Sequence, residues 1–157
     1  MMEKHRVYLS LGSNQGDRQA NILMAIQLIG DRVGTVLRQS SLIETEPWGF
    51  DSKHKFFNGV ILVETMLSPR EVLQTTQQIE RDLGKRKAHA TRRSKTVNNN
   101  MPHCQYHDRP IDIDILLYDN LTVDEPGLTI PHPLMRQRDF VMIPLNEIAD
   151  NEDTSDD

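Results

Sequence analysis

The chain holds one cysteine among its 157 residues, Cys104, so no disulfide can form within it, and a reducing compartment is its natural home. No apolar run approaches the length of a membrane span, so no membrane contact is expected. The first residues lead straight into Val7-Tyr8-Leu9 without the longer apolar segment of a secretory signal, and the expected location is the cytoplasm. Aromatic residues make up only 5% of the chain, too few for a surface on which nucleic-acid bases stack. There is no Walker sequence and no kinase glycine-rich loop, which removes the common nucleotide-binding folds. Internal repeats and linkers are also lacking. The length suits one compact domain, residues 1–150, able to bury about two-thirds of its unfolded surface without staples. The expected state is a monomer.

Charge of one sign is scarce outside the end of the chain. The net charge is −5, yet Asp150, Glu152, Asp153, Asp156 and Asp157 hold five of the 23 acids, and the rest carries 18 acids against 18 bases. Residues 151–157 have no apolar content and read as an acidic disordered tail. Six of the 18 bases fall within eleven residues, in Lys85-Arg86-Lys87 and Arg92-Arg93-Ser94-Lys95. A near-neutral body argues against nucleic acid as the partner of this cluster, which instead draws a polyanionic substrate toward a site.

Several elements are legible. Val7 to Leu11 reads as a strand ending in a turn at Gly12-Ser13-Asn14. A helix capped by Asp17 follows, with Ile22, Ile26 and Ile29 on one face, and Gly30 to Gly34 should break it. Thr35 to Thr45 and Gly59 to Thr65 read as strands. Ser68 caps a second helix, with Pro69 in its first turn and Glu71 completing a capping box. Val72, Thr76, Ile79 and Leu83 form its apolar stripe, and Gly84 should stop it. Lys85 to Pro110 is long, polar and without periodicity, as functional loops are. Short extended pieces at Leu121–Val123 and Leu128–Ile130, a change of direction at Pro131-His132-Pro133, and a helix through Phe140, Ile143, Leu145 and Ile148 complete the chain. Alternating strands and helices followed by clustered strands predict a mixed α+β sheet with helices packed on it.

One segment carries chemistry. In Arg109-Pro110-Ile111-Asp112-Ile113-Asp114-Ile115-Leu116-Leu117-Tyr118, two acids stand two apart in an apolar run. Side chains i and i+2 of a strand share a face, so these carboxylates lie about 6.5 Å apart at the α-carbons, where they repel unless cations attend them. Ile111, Ile113, Ile115 and Leu117 would anchor the opposite face. An edge strand with a solvated polar face gives the same pattern. With Arg109 before the pair, a basic stretch upstream, and His132, Arg136 and Arg138 downstream, the parts that phosphoryl transfer requires are present. His89, His103, Cys104 and His107 are zinc-compatible, but their spacing fits no common zinc module.

At these residues the chain resembles the 6-hydroxymethyl-7,8-dihydropterin pyrophosphokinases of folate biosynthesis. The motifs are Leu11-Gly12-Ser13-Asn14, Thr45-Glu46-Pro47-Trp48-Gly49, Phe57-Asn58, Arg109 to Leu116, and Ile130-Pro131-His132-Pro133 with Arg138-Asp139-Phe140, in order from Val7 to about Ala149. The resemblance implies a ferredoxin-like three-layer α/β/α fold with a mixed or antiparallel sheet, and transfer of the β,γ-pyrophosphoryl group of ATP to the pterin hydroxymethyl oxygen, releasing AMP. It implies two Mg²⁺ ions on Asp112 and Asp114. By motif matching, Arg109 contacts the transferring phosphates, and Gln77, Glu80, Ile115, Thr129, His132 and Arg138 contact ATP. Thr45 and Asn58 bond the pterin and Phe140 stacks on it; Glu46, Trp48, Phe56 and Tyr106 complete that pocket. The family's usual Trp-Gly-Pro-Arg is here Tyr106-His107-Asp108-Arg109, and its arginine after the helix is Lys85 or its neighbour Arg86. The stretch 87–106 is longer than in common members. The competing class is a non-catalytic ferredoxin-like module for nucleotide or RNA, which has no use for two repelling acids.

Overall fold

The computed structural model describes residues 3–45, 55–91 and 110–155, with side chains described for 3–45, 55–84 and 110–149. Strands β1 (His5–Ser13), β2 (Gly34–Gln39), β3 (Ile43–Thr45), β4 (Phe56–Thr65) and β5 (Asp112–Tyr118) form one sheet, in the order β2-β4-β1-β5 with β3 also on β4. Every pairing in it is antiparallel, one of the two forms expected of this α+β sheet. Helices α1 (Arg18–Arg32) and α2 (Pro69–Thr91) each follow a strand and lead to the next, giving the split βαβ arrangement of a ferredoxin-like fold. A hairpin of β6 (Val123–Glu125) and β7 (Leu128–Ile130) and a helix α3 (Asp139–Ser155) complete the described chain. No described helix is long and apolar enough to cross a membrane.

Strand alternation builds two cores. Val7, Leu9, Leu11, Ile61, Val63, Ile111, Ile113 and Ile115 face the rear, where Ile22, Ala25 and Ile29 of α1 and Val72, Ile79 and Leu83 of α2 cover them. Tyr8, Val60, Leu62 and Leu116 face the front and pack against Val141, Leu145 and Ile148 of α3. A bulge marks the change of parity in β5: Leu9 opposes Ile115 and Tyr8 opposes Leu117, leaving Leu116 as the extra residue. Leu117 therefore leaves the rear face on which it was expected, and Tyr118 takes its place, its hydroxyl donating to the Leu67 carbonyl. Burial pushes the Tyr118 phenol up to about 12.

The caps match their sequence signals. Ala20 N–H donates to the Asp17 carboxylate at 3.1 Å. Ser68 and Glu71 exchange hydrogen bonds, N–H to Oε1 at 2.8 Å and N–H to Oγ at 3.2 Å. Of the two predicted stops, the break between Gly30 and Gly34 holds, since α1 ends at Arg32 and β2 begins at Gly34, while the stop at Gly84 does not. Gly30 lies inside α1 and Gly84 inside α2, which runs on to Thr91 and takes up the start of the expected loop. A Cβ at either glycine would meet nothing within 4 Å, and a helical glycine costs only about 1 kcal/mol, so the packed stripes carry both helices through. The expected strand from Thr35 to Thr45 is two strands. Between them Ser40 Oγ accepts the Val60 N–H, and Ser41 donates its N–H and hydroxyl to Glu147 of α3. Ile143 is 57% exposed rather than part of the α3 stripe. Finally, α3 is helical to Ser155, five residues into the stretch read as a tail.

Candidate active site

Among the described residues, α3 covers one half of the front face, over Tyr8, Val60, Leu62 and Leu116. In the other half three residues align across the strands: Asp112 on β5, Gly12 on β1, and Asn58 on β4, each directly opposite the next. The adjoining rung holds Asp114 opposite Ser10. Opposed residues of antiparallel strands share a face, so both aspartates stand on the front as the alternation required. Ile111, Ile113 and Ile115 behind them are 2%, 6% and 6% exposed. With strands about 4.8 Å apart, Asp112 and Asn58 are separated by about 10 Å, the span of one small bicyclic ligand.

Gly12 keeps the floor of this half low. A Cβ there would lie 2.8 Å from Asn58 Oδ1 and 3.4 Å from the Phe56 ring. Gly12 and Ser13 belong to β1, so the motif expected as a turn is strand up to Ser13. Ser13 and Asn14 are buried, and Asn21 of α1 donates to Ser13 Oγ and the Gln15 carbonyl. Asn58 is itself buried and donates Nδ2–H to Thr45 Oγ1 at 2.6 Å, which fixes the two pterin candidates against each other. Phe56 opposes Thr45 on the last described rung.

The other flank is built on the outer edge of β5. The Glu80 carboxylate of α2 accepts the Ile113 N–H at 2.7 Å, midway between the two aspartates. His132 N–H donates to the Leu116 carbonyl at 3.0 Å, laying the segment after the cis Ile130–Pro131 bond along the same edge. Between α2, β5 and the β6–β7 hairpin lies a cavity of about 240 Å³, bordered by Leu73, Asp114, Ile115, Thr129 and His132. Gln77 is one turn from both Leu73 and Glu80 on α2, on the same helix face.

His132 takes its electrostatics from its surroundings. Burial holds its pKa below the ordinary 6.5, the Arg138 guanidinium lowers it further, and Asp112 opposes both. Its Nδ1 accepts the Leu134 N–H at 3.2 Å, so the neutral ring carries its proton on Nε2. Arg138 stands 5.6 Å from the centre of the Phe140 ring, at the border between the open half and the α3 core.

Carboxylate oxygens suit a hard cation such as Mg²⁺. Among the described residues no three His, Cys, Asp or Glu side chains gather into a group able to hold an ion. An ion on Asp112 and Asp114 would therefore take its other ligands from water and from substrate phosphates, as Mg²⁺ commonly does.

The family model described as 7,8-dihydro-6-hydroxymethylpterin-pyrophosphokinase (HPPK) matches residues 8–150. The chain belongs to this family. It is 47% identical over 144 residues to a 2-amino-4-hydroxy-6-hydroxymethyldihydropteridine pyrophosphokinase of Porphyromonas gingivalis, covering 91% of this chain and 90% of that one. A Bacillus subtilis protein of the same name is 36% identical over 143 residues, covering 90% and 77%. The wild-type HPPK-DHPS crystal structure of Plasmodium falciparum superposes with a TM-score of 0.63 at 15% identity, a likeness of fold. It covers 93% of this chain, which spans 41% of the length of that one.

Of the residues matched to HPPK, the structure gathers Thr45, Phe56, Asn58, Asp112, Asp114 and Phe140 on the front, and Glu80, Ile115, Thr129, His132 and Arg138 around the β5 edge. Glu46, Trp48, Tyr106 and Arg109 lie outside the described residues, as do His103, Cys104 and His107; the side chains of Lys85, Arg86 and His89 do too. Gly12 and Ser10 were missed as the floor between the two flanks. Their signal was present, since Val7, Leu9 and Leu11 fix the rear parity of β1 and leave Ser10 and Gly12 for the front.

Proposed function

We propose that this chain transfers the pyrophosphoryl group of ATP to the hydroxymethyl group of 6-hydroxymethyl-7,8-dihydropterin, a step of folate biosynthesis. The hydroxymethyl oxygen attacks the β-phosphorus and gives up its proton to water, the bond from that phosphorus to the α,β-bridging oxygen breaks, and AMP leaves. The observation that carries the reading is the Asp112–Gly12–Asn58 row, which sets an amide able to read a heterocycle about 10 Å from a pair of acids, with a glycine between. Asn58 and Thr45 hold the pterin edge, while Phe56, Phe140, Glu46, Trp48 and Tyr106 enclose it. Thr129, His132, Arg138, Gln77, Glu80 and Ile115 receive ATP from the β5 edge, with His132 offering Nε2–H to a phosphate oxygen. Arg109, with Lys85 or Arg86, meets the transferring phosphates.

Two Mg²⁺ ions are assigned to Asp112 and Asp114. When bound there, they supply charge neutralisation of the phosphates and a lowered pKa for the attacking hydroxyl. The protein's share is to hold acceptor and donor in line, which accounts for most of catalysis in phosphoryl transfer. On this reading residues 1–150 are one catalytic domain, acting as a cytoplasmic monomer on small molecules without nucleic acid or membrane.

The test is AMP release from ATP, MgCl₂ and the hydroxymethylpterin. The parent should produce AMP stoichiometrically with the pterin diphosphate. Parent protein that forms no AMP, or a D112A/D114A double variant that turns over near the parent rate, would defeat the assignment.

A further inference from the structure

Arg18 reaches from the first turn of α1 to both strands that carry the pterin candidates. Its Nη1 donates to the Lys55 carbonyl at 2.7 Å and pairs with Glu44 Oε2 at 2.9 Å. Its guanidinium carbon sits 4.3 Å from the centre of the Phe57 ring. Glu44 belongs to β3, Phe57 opposes it on β4, and Lys55 directly precedes β4, so one side chain crosses the ribbon at its last described rungs.

Alternation separates this grip from the site. Glu44 and Phe57 oppose each other on the rear, whereas Thr45 with Phe56, and Ile43 with Asn58, oppose each other on the front. Arg18 thus contacts the rear of the ribbon whose front holds the 2.6 Å Asn58–Thr45 bond. The strand it grips is weakly held otherwise. β3 is three residues long and, among the described residues, pairs with β4 alone, and its other end is tied by Ser41 to Glu147 of α3. Nor does α1 depend on Arg18 for its start, because Asp17 supplies the cap.

On the reading of the site as a pterin pyrophosphokinase, we infer that Arg18 is a positioning residue for the pterin, setting the separation of Thr45 from Asn58 and Phe56 from behind. Arginine suits this role because one planar group donates to a carbonyl and pairs with a carboxylate while its face lies over an aromatic ring, and lysine reproduces only the point charge.

The experiment is steady-state kinetics and Tm of Arg18→Met, Arg18→Lys and Glu44→Gln beside the parent, with pterin binding measured directly in the presence of a non-hydrolysable ATP analogue. Arg18→Met should raise KM for the pterin, and weaken its binding, by about tenfold, with kcat and KM for ATP within about twofold of the parent. Arg18→Lys should recover part of the loss. Glu44→Gln, which removes only an exposed carboxylate charge, should move pterin KM the same way by less. Unchanged pterin KM in both Arg18→Met and Glu44→Gln overturns the inference. A loss that falls equally on kcat and on both substrates, in step with Tm, overturns it too. An inactive parent would sink the functional reading instead, and the binding measurement would still judge Arg18.

Discussion

The two halves of the front face of the sheet use the same strands for opposite purposes. Where α3 lies, β1, β4 and β5 present Tyr8, Val60, Leu62 and Leu116, each at most 8% exposed, and the half exists to exclude water. One or two rungs further along, the same strands present Ser10, Gly12, Asn58, Asp112 and Asp114. The rear face makes no such distinction, since its isoleucines, leucines and valines continue behind both halves. A rigid rear core therefore lets the open half carry groups that would be costly in a closed one: two like charges and a buried amide.

The sharpest way to break this comparison is the D112A/D114A double variant. Turnover should fall at least about a thousandfold, about 4 kcal/mol of barrier, while the free energy of unfolding changes by no more than about 1 kcal/mol. Loss of stability of the kind a core variant shows would mean that the two halves are not distinct. Leu62→Ala in the covered half should do the reverse, costing about 2–5 kcal/mol in urea unfolding with kcat per folded molecule unchanged. Gly12→Ala tests the floor: with a Cβ 2.8 Å from Asn58 Oδ1, pterin KM should rise about tenfold, with ATP binding preserved.

The smallest effect concerns pH. The folded pKa of His132 lies below its ordinary 6.5, so the folded protein binds fewer protons than the unfolded chain across that interval. Its contribution is complete above 6.5 and is lost as pH falls from there through the folded value. Urea midpoints of the parent and His132→Gln between about pH 5 and about pH 7.5 should show a shallower acid-side decline in the variant, and parallel curves would refute the sign.

Much of this was legible because it depended on short-range rules. Alternation placed Asp112 and Asp114 on one face, and the capping box at Ser68 and Glu71 named the start of α2. What depended on tertiary packing was not. Gly84 looks like a stop only until Val72, Thr76, Ile79 and Leu83 are seen buried against the sheet, all at most 5% exposed. The swap of Tyr118 for Leu117 needs the register of β1 against β5, which no single strand reveals. Gly12 was visible as a motif but read as a turn, because its use is the absence of a Cβ beside an amide from another strand. Arg18 gave no signal, since its three contacts come from residues about 26 to 39 positions away, brought near only by folding.

The bond from the Ile113 N–H to Glu80 has a thermodynamic corollary. It stations a third acid beside Asp112 and Asp114, so the β5 edge meets an incoming triphosphate with negative charge on both sides of the contact. On the proposed reading, nucleotide and divalent cation are then linked ligands: each makes the other's arrival more favourable by the same factor. On that reading, a helix that buttresses a strand also acts as a filter, admitting ATP in company with its counterions.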